Sequence, residues 1–306
     1  MGTPRAAVPS LERCLSDGHD VVAVYSQPDR PSGRGNRITF SPVKECATAN
    51  QLTVFQPVKM KTAEALDVFC SHNADLAVVV AYGRILSEPF LNAFPKGAIN
   101  VHFSLLPKYR GAAPVNWAIV NGESETGVTT MQMDAGLDTG AILMQASSPI
   151  DGAETAVDLM SRLSVTGADL LSETLARLDG IVAKPQDHGS ATFAPIMKRE
   201  DGLIDWKMRA AEISNRVRGF QPFPMAFTFL RETKLTIWKA VPAAEFTLVE
   251  SLPGQVIEAH GDNFFIGCGH GSALKIVEIQ PEGKRRMAVR DFLNGFKPPV
   301  GVVLGS

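Results

Sequence analysis

Apolar residues in the first part of the chain fall into short β-branched runs that alternate with stretches of helical periodicity. The runs that predict buried strands are 19–26, 53–55, 75–81 and 98–101, and the stretches that predict helices are 41–50, 63–72 and 88–93. Strands that alternate with helices form parallel βαβ units. The pattern therefore predicts an α/β fold with an open wound, mostly parallel sheet.

The pattern changes after residue 117. Two extended runs, 127–133 and 141–148, predict a pair of antiparallel edge strands, and the loop between them carries Asp138. Residues 154–178 have apolar side chains at helical spacing and should pack on the sheet. Prolines and glycines interrupt residues 183–202, which favours a linker.

The last hundred residues carry one predicted helix and then several short β-like runs. Glycine and proline separate these runs, which is typical of a small β-barrel of the OB-like kind. The predicted organisation is a first domain at 1–182, a linker at 183–202 and a barrel domain at 203–306.

Composition adds little to this picture, and charge adds more. The 306 residues are 45% hydrophobic, enough for a sizeable core, and the formal net charge is -2. Residues 1–204 have 17 basic and 22 acidic side chains, whereas residues 205–306 have 13 and 10. The second part is therefore positive, which permits an anionic partner.

The four cysteines have no CxxC spacing, so neither a zinc site nor a disulfide framework is indicated. No apolar run reaches the ~20 residues of a membrane span, and no signal sequence is recognisable. We expect a cytoplasmic monomer without a metal and without a membrane partner.

Candidate chemistry lies at the end of the 98–101 strand. Side chains alternate between the faces of a strand, so Asn100 and His102 point the same way, and the Asp138 loop can fold back to orient the imidazole. A GxSxG nucleophile motif is missing, and one histidine with one aspartate is a weak zinc set. The trio suits acyl transfer without a covalent intermediate, although a satisfied polar group at a strand end is the commoner reading.

Two groups of basic residues favour a phosphate-bearing partner. The loop at 27–44 carries Arg30, Arg34, Arg37 and Lys44 among prolines and glycines, and the last domain carries Lys284, Arg285, Arg286 and Arg290. A flexible basic arm suits a nucleic-acid backbone. A solvated surface loop explains either group equally well from composition alone.

Several motifs together resemble the formyltransferases that use 10-formyltetrahydrofolate. The core motif runs from Asn100 to Pro107, continues through Tyr109-Arg110-Gly111 and Pro114, and is completed by Asp134 with the residues 137–140. The resemblance covers nearly the whole chain. Four further features make it closest to the members that formylate methionyl-tRNA: Gly2-Thr3-Pro4, residues 27–35, Ile204-Asp205-Trp206, and Asn215 with Arg218-Gly219.

This resemblance implies a Rossmann-like formyltransferase fold and a reaction in which the α-amine of methionyl initiator tRNA attacks the formyl carbon. It implies that Asn100 and His102 stabilise the intermediate and move protons, with Asp138 orienting His102. The folate pocket corresponds to Ser104, Leu105, Leu106 and Pro107, with Tyr82 and Gly83 near its wall. By the same resemblance, the basic arm grips the acceptor end of the tRNA and the basic barrel holds its acceptor arm.

The sequence departs from the family at three places. The family begins with a strand that runs into Gly-Thr-Pro, whereas this chain starts at Met1-Gly2, so we expect a sheet without its inner strand. Such a sheet has unpaired backbone groups and an apolar gap. Arg5-Ala6 replaces an acidic-aromatic pair, and Asn36-Arg37 stands where the arm often has two lysines.

Two alternatives stay open. A folate-dependent enzyme that formylates a sugar or a purine precursor would share residues 98–140, but should lack a basic arm and a barrel of this kind. A tRNA-binding protein without activity is favoured by the missing strand and disfavoured by intact Asn100, His102 and Asp138.

Overall fold

The computed structural model describes residues 1–32, 37–246 and 250–305. The chain forms two compact units. The N-terminal unit comprises Met1–Pro114, Glu125–Pro149 and Met160–Pro195, and the C-terminal unit comprises Val115–Ser124, Ile150–Leu159 and Ile196–Ser306. The bounds predicted from the sequence, with a linker at 183–202, stay a prediction. Nowhere in the three described ranges is a helix both long enough and apolar enough to cross a membrane.

Strands and helices alternate through the first 120 residues, as the apolar pattern predicts. The strands are β1 (Val24–Tyr25), β2 (Arg30–Ser32), β3 (Arg37–Thr39), β4 (Val54–Phe55), β5 (Ala77–Val79), β6 (Ala98–His102) and β7 (Arg110–Gly111). The helices are α1 (Val8–Ser16), α2 (Pro42–Ala49), α3 (Ala63–Cys70), α4 (Glu88–Leu91) and α5 (Pro114–Val120). Local sequence fixes the start of α2: Ser41 caps this helix by accepting the Lys44 N–H, and Pro42 follows at the first helical position.

The second part of the N-terminal unit adds an antiparallel edge to the sheet. It is formed by β8 (Glu125–Gln132) and β9 (Ile142–Pro149), and the chain continues through α6 (Ala156–Arg177) to the short strand β10 (Phe193–Ala194). The sheet order is β5-β6-β8-β9, with β5 and β6 parallel. The pairs β1-β4 and β7-β10 are also parallel. The predicted α/β class and the antiparallel pair are confirmed.

A gap separates β1 from β5, and the first two residues bridge it at one end. The Met1 amine donates to the Val78 carbonyl at 2.7 Å, and the Gly2 N–H donates to the Tyr25 carbonyl at 2.9 Å. Beyond this bridge lies a cavity of about 430 Å³ whose lining includes residues 21–25 and 74–78. The run predicted as a strand at 19–26 therefore forms only the two-residue β1, because most of its inner edge has no neighbouring strand.

The C-terminal unit contains an antiparallel sheet, on which two helices within residues 210–296 pack. Its strands are β11 (Ala226–Leu230), β12 (Thr233–Pro242), β13 (Val256–His260), β14 (Asn263–Gly267), β15 (Ala273–Pro281) and β16 (Met287–Ala288). The helices are α7 (Ala210–Gly219) and α8 (Val289–Phe296). Their apolar faces meet the sheet in one core that includes Ile213, Leu235 and Phe292, each of which is 0% exposed.

The antiparallel C-terminal sheet that stands where a small barrel was predicted does not close on itself among the described residues. The strand order β11-β12-β15-β14-β13 is an open path, in which β11 and β13 do not pair with each other. Residues 301–305 reach both ends of this path instead. The Leu304 N–H donates to the Gly254 carbonyl and the Gly305 N–H to the Phe229 carbonyl, each at 2.8 Å. An irregular segment thus satisfies edges that a barrel would pair directly.

Candidate active site

Strand β6 brings Asn100 and His102 to the centre of the N-terminal sheet. Its five residues are all buried, between β5 on one side and β8 on the other. Asn100 is 9% exposed and His102 is 5% exposed. The two side chains share one face of the strand, as the alternation predicts. Within the described residues, no hydrogen bond of the Asn100 side chain is found, so its amide is available to a ligand.

His102 faces an oxygen atom at each ring nitrogen. Nε2 lies 2.9 Å from the Tyr109 carbonyl oxygen, and Nδ1 lies 3.7 Å from Oδ2 of Asp138. A carbonyl oxygen only accepts hydrogen bonds, so Nε2 carries a proton and donates it. Nδ1 is therefore the ring nitrogen at which a proton can be taken up and released.

Asp138 is held in place by the main chain. It lies in the loop between β8 and β9 with φ of 52°, and its Oδ2 accepts the Gly111 N–H at 2.8 Å. Asp134 shapes the same loop, because its Oδ1 accepts the Gly136 N–H at 3.0 Å and the Thr139 hydroxyl at 2.7 Å. The carboxylate predicted to orient His102 thus sits on an ordered turn.

Gly111 permits this arrangement because it has no side chain. Its φ is 122°, and a Cβ atom built on it would lie 2.6 Å from the Ala194 carbonyl oxygen. β7 therefore approaches β10 closely enough for Gly111 and Ala194 to pair. Any larger residue would move the N–H that binds Asp138.

The segment 104–107, which the resemblance assigns to the folate pocket, is a turn held by one side chain of β8 and one of β9. The Thr129 hydroxyl donates to the Ser104 carbonyl at 2.7 Å and accepts the Leu106 N–H at 3.1 Å. Gln145 donates from Nε2 to the Leu106 carbonyl at 2.8 Å. Since Thr129 is fully buried, these bonds fix the turn next to His102.

Within this turn, Ser104 is fully buried and its hydroxyl donates to the Lys108 carbonyl at 2.6 Å. Leu106 is 3% exposed, whereas Leu105 and Pro107 are partly exposed. The Ser104 side chain stabilises the turn, and the partly exposed residues offer the surface that a ligand could contact.

Tyr82 and Gly83 follow β5. The Tyr82 ring packs in the core with Phe69 and Phe90, and burial raises the pKa of its hydroxyl. Its carbonyl accepts Nε2 of Gln27 at 3.0 Å. Gly83 is exposed. The Tyr82 side chain therefore serves the core, and the proximity of these two residues to a folate stays a prediction.

Both parts of the chain match models of one protein family. Residues 1–175 match the formyl transferase family, and residues 196–297 match its C-terminal domain. The chain belongs to the formyl transferase family. Among curated relatives, a methionyl-tRNA formyltransferase of Koribacter versatilis is 52% identical over 307 residues, with 99% of this chain and 97% of that protein covered. A methionyl-tRNA formyltransferase of Geobacter metallireducens is 46% identical, with 100% and 97% covered.

The solved structures that resemble this formyl transferase share its fold. WlaRD, a sugar 3N-formyl transferase determined in the presence of dTDP and 5-N-formyl-THF, has a TM-score of 0.67 and 22% identity. The alignment covers 93% of this chain and 97% of that one. At this identity, the likeness supports the architecture of the formyl transferase and says nothing about its substrate.

Sequence reasoning missed the residues that support the site of this formyl transferase. They are Thr129, Gln145, Gln186 and Thr192. The Thr192 hydroxyl accepts the Tyr109 N–H at 2.9 Å, and Gln186 bonds to the Arg110 side chain and to the Asp138 loop. No local pattern marks them, because a buried polar side chain is recognised only from its neighbours in space.

The basic arm of this formyl transferase contains the antiparallel pair β2-β3. Arg30 is exposed at the start of β2. Arg34 lies outside the described residues, and the same holds for the side chain of Arg37. Lys44 forms an ion pair with Asp29, donates to Gln56 Oε1 at 2.8 Å and lies 4.0 Å from the centre of the Phe40 ring. Lys44 thus fastens the arm to the sheet.

The C-terminal basic cluster lies around the β15-β16 turn. Lys284 and Arg285 are exposed there, and no ion pair of either is found among the described residues. Arg286 pairs with Glu278 and stacks 4.7 Å from the Trp238 ring centre. The cations of the cluster for which no ion pair is found among the described residues are therefore Lys284 and Arg285, while the charge of Arg286 is already partly neutralised.

Proposed function

We propose that the protein transfers the formyl group of 10-formyltetrahydrofolate to the α-amine of methionyl initiator tRNA. The observation that carries this proposal is the similarity to methionyl-tRNA formyltransferases, at 46–52% identity over 99–100% of the chain. The arrangement of Asn100, His102 and Asp138 supports the acyl-transfer chemistry. Because translation initiation takes place in the cytoplasm, we assign the protein to that compartment, as a monomer.

The proposed reaction forms one C–N bond and breaks another. As the methionyl nitrogen bonds to the formyl carbon, negative charge develops on the formyl oxygen, and the Asn100 amide donates to it. His102 takes the amine proton at Nδ1 and returns it to the folate nitrogen that leaves. The Asp138 carboxylate, 3.7 Å from Nδ1, stabilises the ring while it carries this charge.

The turn at 104–107 suits the formyl donor in this proposal. Its main chain is fixed by Thr129 and Gln145, and it starts two residues after His102. A fixed turn next to the proton carrier can hold a donor at reacting distance without an ordering cost at each turnover. We assign the partly exposed Leu105 and Pro107 to direct contact with the donor.

Two surfaces are proposed to hold the tRNA. Arg30 on the arm and Lys284 with Arg285 on the C-terminal turn contact phosphates, since their side chains are exposed. Lys44, which is 18% exposed and paired with Asp29, anchors the arm. The pairing with Lys44 holds the pKa of the Asp29 carboxyl below its usual value. Arg34, Arg37 and Arg286 stay predicted tRNA contacts.

The first test is formylation by the wild-type protein and by His102→Ala. Purified protein is incubated with methionyl initiator tRNA and 10-formyltetrahydrofolate, and N-formylmethionine is measured. Since general acid-base catalysis contributes about 10²–10⁴-fold, His102→Ala should lose at least that factor in kcat while tRNA affinity is retained.

His19→Ala is the matched control, because His19 is an exposed histidine outside the site. It should keep full activity. Folded wild-type protein that yields no formylmethionine would refute the proposed function. Parallel loss of tRNA affinity and kcat in His102→Ala would instead assign His102 a structural role.

A further inference from the structure

Gln186 lies in the segment that the sequence predicts to be a linker, yet the structure buries it beside the candidate site. Its side chain is 6% exposed. A main-chain bridge between Ile142 and Lys184, with both N–H···O distances at 2.8 Å, holds the segment against the start of β9. A buried amide needs partners for all of its polar atoms, and Gln186 finds them on two different loops.

The amide nitrogen of Gln186 binds the Asp138 loop. Nε2 donates to the Asp138 carbonyl at 2.9 Å and to the Gly140 carbonyl at 2.7 Å. One of these carbonyls belongs to Asp138 itself, and the other lies two residues further along the same loop. Both N–H groups of the amide are thereby used, and the turn is clamped from outside the loop.

The amide oxygen of Gln186 binds Arg110. It accepts Nε at 3.1 Å and Nη2 at 2.7 Å, and the Arg110 side chain is itself buried, with the residue 4% exposed. Arg110 stands between Tyr109, whose carbonyl accepts the His102 Nε2 proton, and Gly111, whose N–H donates to Asp138. The position of Arg110 therefore sets both main-chain contacts of the catalytic pair.

These contacts close a ring that runs from His102 through Tyr109, Arg110, Gln186 and Asp138 back to His102. We propose that Gln186 is a positioning residue for formyl transfer, because it fixes the Asp138 loop relative to the segment that holds the His102 ring. This proposal rests on the proposed function for its kinetic test. Gln186 itself touches neither reacting group and acts through Asp138 and Arg110.

Gln186→Glu removes the hydrogen bonds of the amide nitrogen and keeps those of the amide oxygen. The carboxylate still accepts from Arg110, but it cannot donate to the Asp138 and Gly140 carbonyls and instead faces both with negative charge. Since a displacement of about 1 Å at a reacting group costs about 10²-fold in rate, kcat should fall by about that factor. The KM for the formyl donor and the affinity for tRNA should stay near the wild-type values. Gln186→Met, which has similar length and no hydrogen bonds, should show the same split.

Gln132→Glu is the matched control. Gln132 also donates from Nε2 to two main-chain carbonyls of the same unit, those of Lys96 at 3.3 Å and Ala98 at 3.2 Å. The substitution makes the same change of charge and removes the same kind of bond. Any loss of stability should be comparable, whereas kcat should not fall.

A second readout does not need activity. Hydrogen exchange of the Gly111 amide, followed by mass spectrometry on peptides spanning 108–113, should be faster in both Gln186 variants and unchanged in Gln132→Glu, because the Gly111 N–H loses a fixed acceptor. Wild-type kcat in folded Gln186→Glu and Gln186→Met, or unchanged Gly111 exchange, would overturn the proposal. The wild-type protein could fail to formylate methionyl-tRNA while Gly111 exchange is still faster in the Gln186 variants. That result would refute the proposed function but not the role of Gln186 in fixing the Asp138 loop.

Discussion

At the scale of single residues, a main-chain carbonyl decides which ring nitrogen of His102 is left to face Asp138. The carbonyl of Tyr109 occupies Nε2, so that nitrogen keeps its proton, and Nδ1 faces the Asp138 carboxylate at 3.7 Å. This assignment needs the structure, because the sequence places Asn100, His102 and Asp138 together without deciding between the two ring nitrogens.

Cys268 allows a test of burial at the same scale. Burial raises the pKa of its thiol to about 12, so the reactive thiolate is scarcely populated at pH 8. Cys70 is exposed. A thiol reagent should therefore label Cys70 and spare Cys268 in the native protein at pH 8, and should label both in denaturant, as peptide mass spectrometry would show.

The raised pKa of the Cys268 thiol also makes the free energy of unfolding depend on pH. The unfolded thiol, with the ordinary pKa of 9.0, loses its proton before the folded one does. Cys268 therefore lowers the free energy of unfolding as the pH rises from 9.0 through about 12. Labelling of native Cys268 at the rate of Cys70 would contradict its burial.

Residues with chemistry at a strand end could be predicted from the sequence, whereas their supports could not. Asn100 and His102 follow from alternation along one strand. Gln186 lies between Pro185 and Asp187, a context typical of a loop, and only its neighbours in space show that it is buried. A basic residue in a basic loop predicts an RNA contact for Lys44, and this contact stays a prediction. The bonds of its ammonium group to Asp29 and Gln56 could not be predicted from the sequence.

At the scale of elements, the sequence predicts the strands of the N-terminal sheet correctly where each strand has neighbouring strands to pair with. β6 matches the predicted run closely, and it is paired on both sides. The run at 19–26 forms a strand only at 24–25, where β4 pairs with it. β-Propensity alone does not form a strand without partners, since cross-strand pairs supply most of its stability.

The gap between β1 and β5 gives a testable consequence. Gly2 bridges Val80 in parallel, so residues added before Met1 would run along 74–78 on one side and 21–25 on the other. An added segment of about four alternating Val and Ile residues should pair with both edges and bury apolar side chains worth roughly 1.5–3 kcal/mol each, before the cost of ordering the segment. We expect the Tm to rise by at least several degrees in a thermal melt.

The matched control is a Gly-Ser extension of equal length, which offers the same backbone without apolar side chains. It should leave the Tm nearly unchanged. If both extensions raise the Tm equally, or neither does, the cavity does not accept a strand.

At the scale of the whole molecule, the exposed cations that we propose to meet the tRNA belong to two different elements. Arg30 belongs to the arm, and Lys284 with Arg285 belongs to the turn between β15 and β16. The net charge of -2 conceals this arrangement. Fields of local clusters, rather than the net charge, govern the approach of a polyanion.

The double variant Lys284→Ala/Arg285→Ala should bind methionyl initiator tRNA more weakly. The slope of log K against log salt concentration should become shallower by about 0.7–0.9 for each phosphate that the variant no longer neutralises. Filter binding across a salt series measures both effects, and kcat at saturating tRNA should be retained.

Arg290→Ala is the control for this double variant. Arg290 is an exposed cation of the same region whose guanidinium is paired with Asp262. It should change the salt slope less than the double variant does. An equal or larger effect of Arg290→Ala would show that the choice of exposed, unpaired cations is incorrect.

The pairing of β7 with β10 decides where this protein can be recombined with a relative. Residues between Lys184 and Ala194 form hydrogen bonds to Tyr109, Arg110 and Ile142. A recombined gene should therefore take this stretch from the same parent as the rest of the N-terminal unit. A chimera joined at residue 182 would combine β7 and the Asp138 loop of one parent with Gln186 and β10 of the other parent. A joint placed after Pro195 exchanges residues 196–306 and leaves those contacts to a single parent.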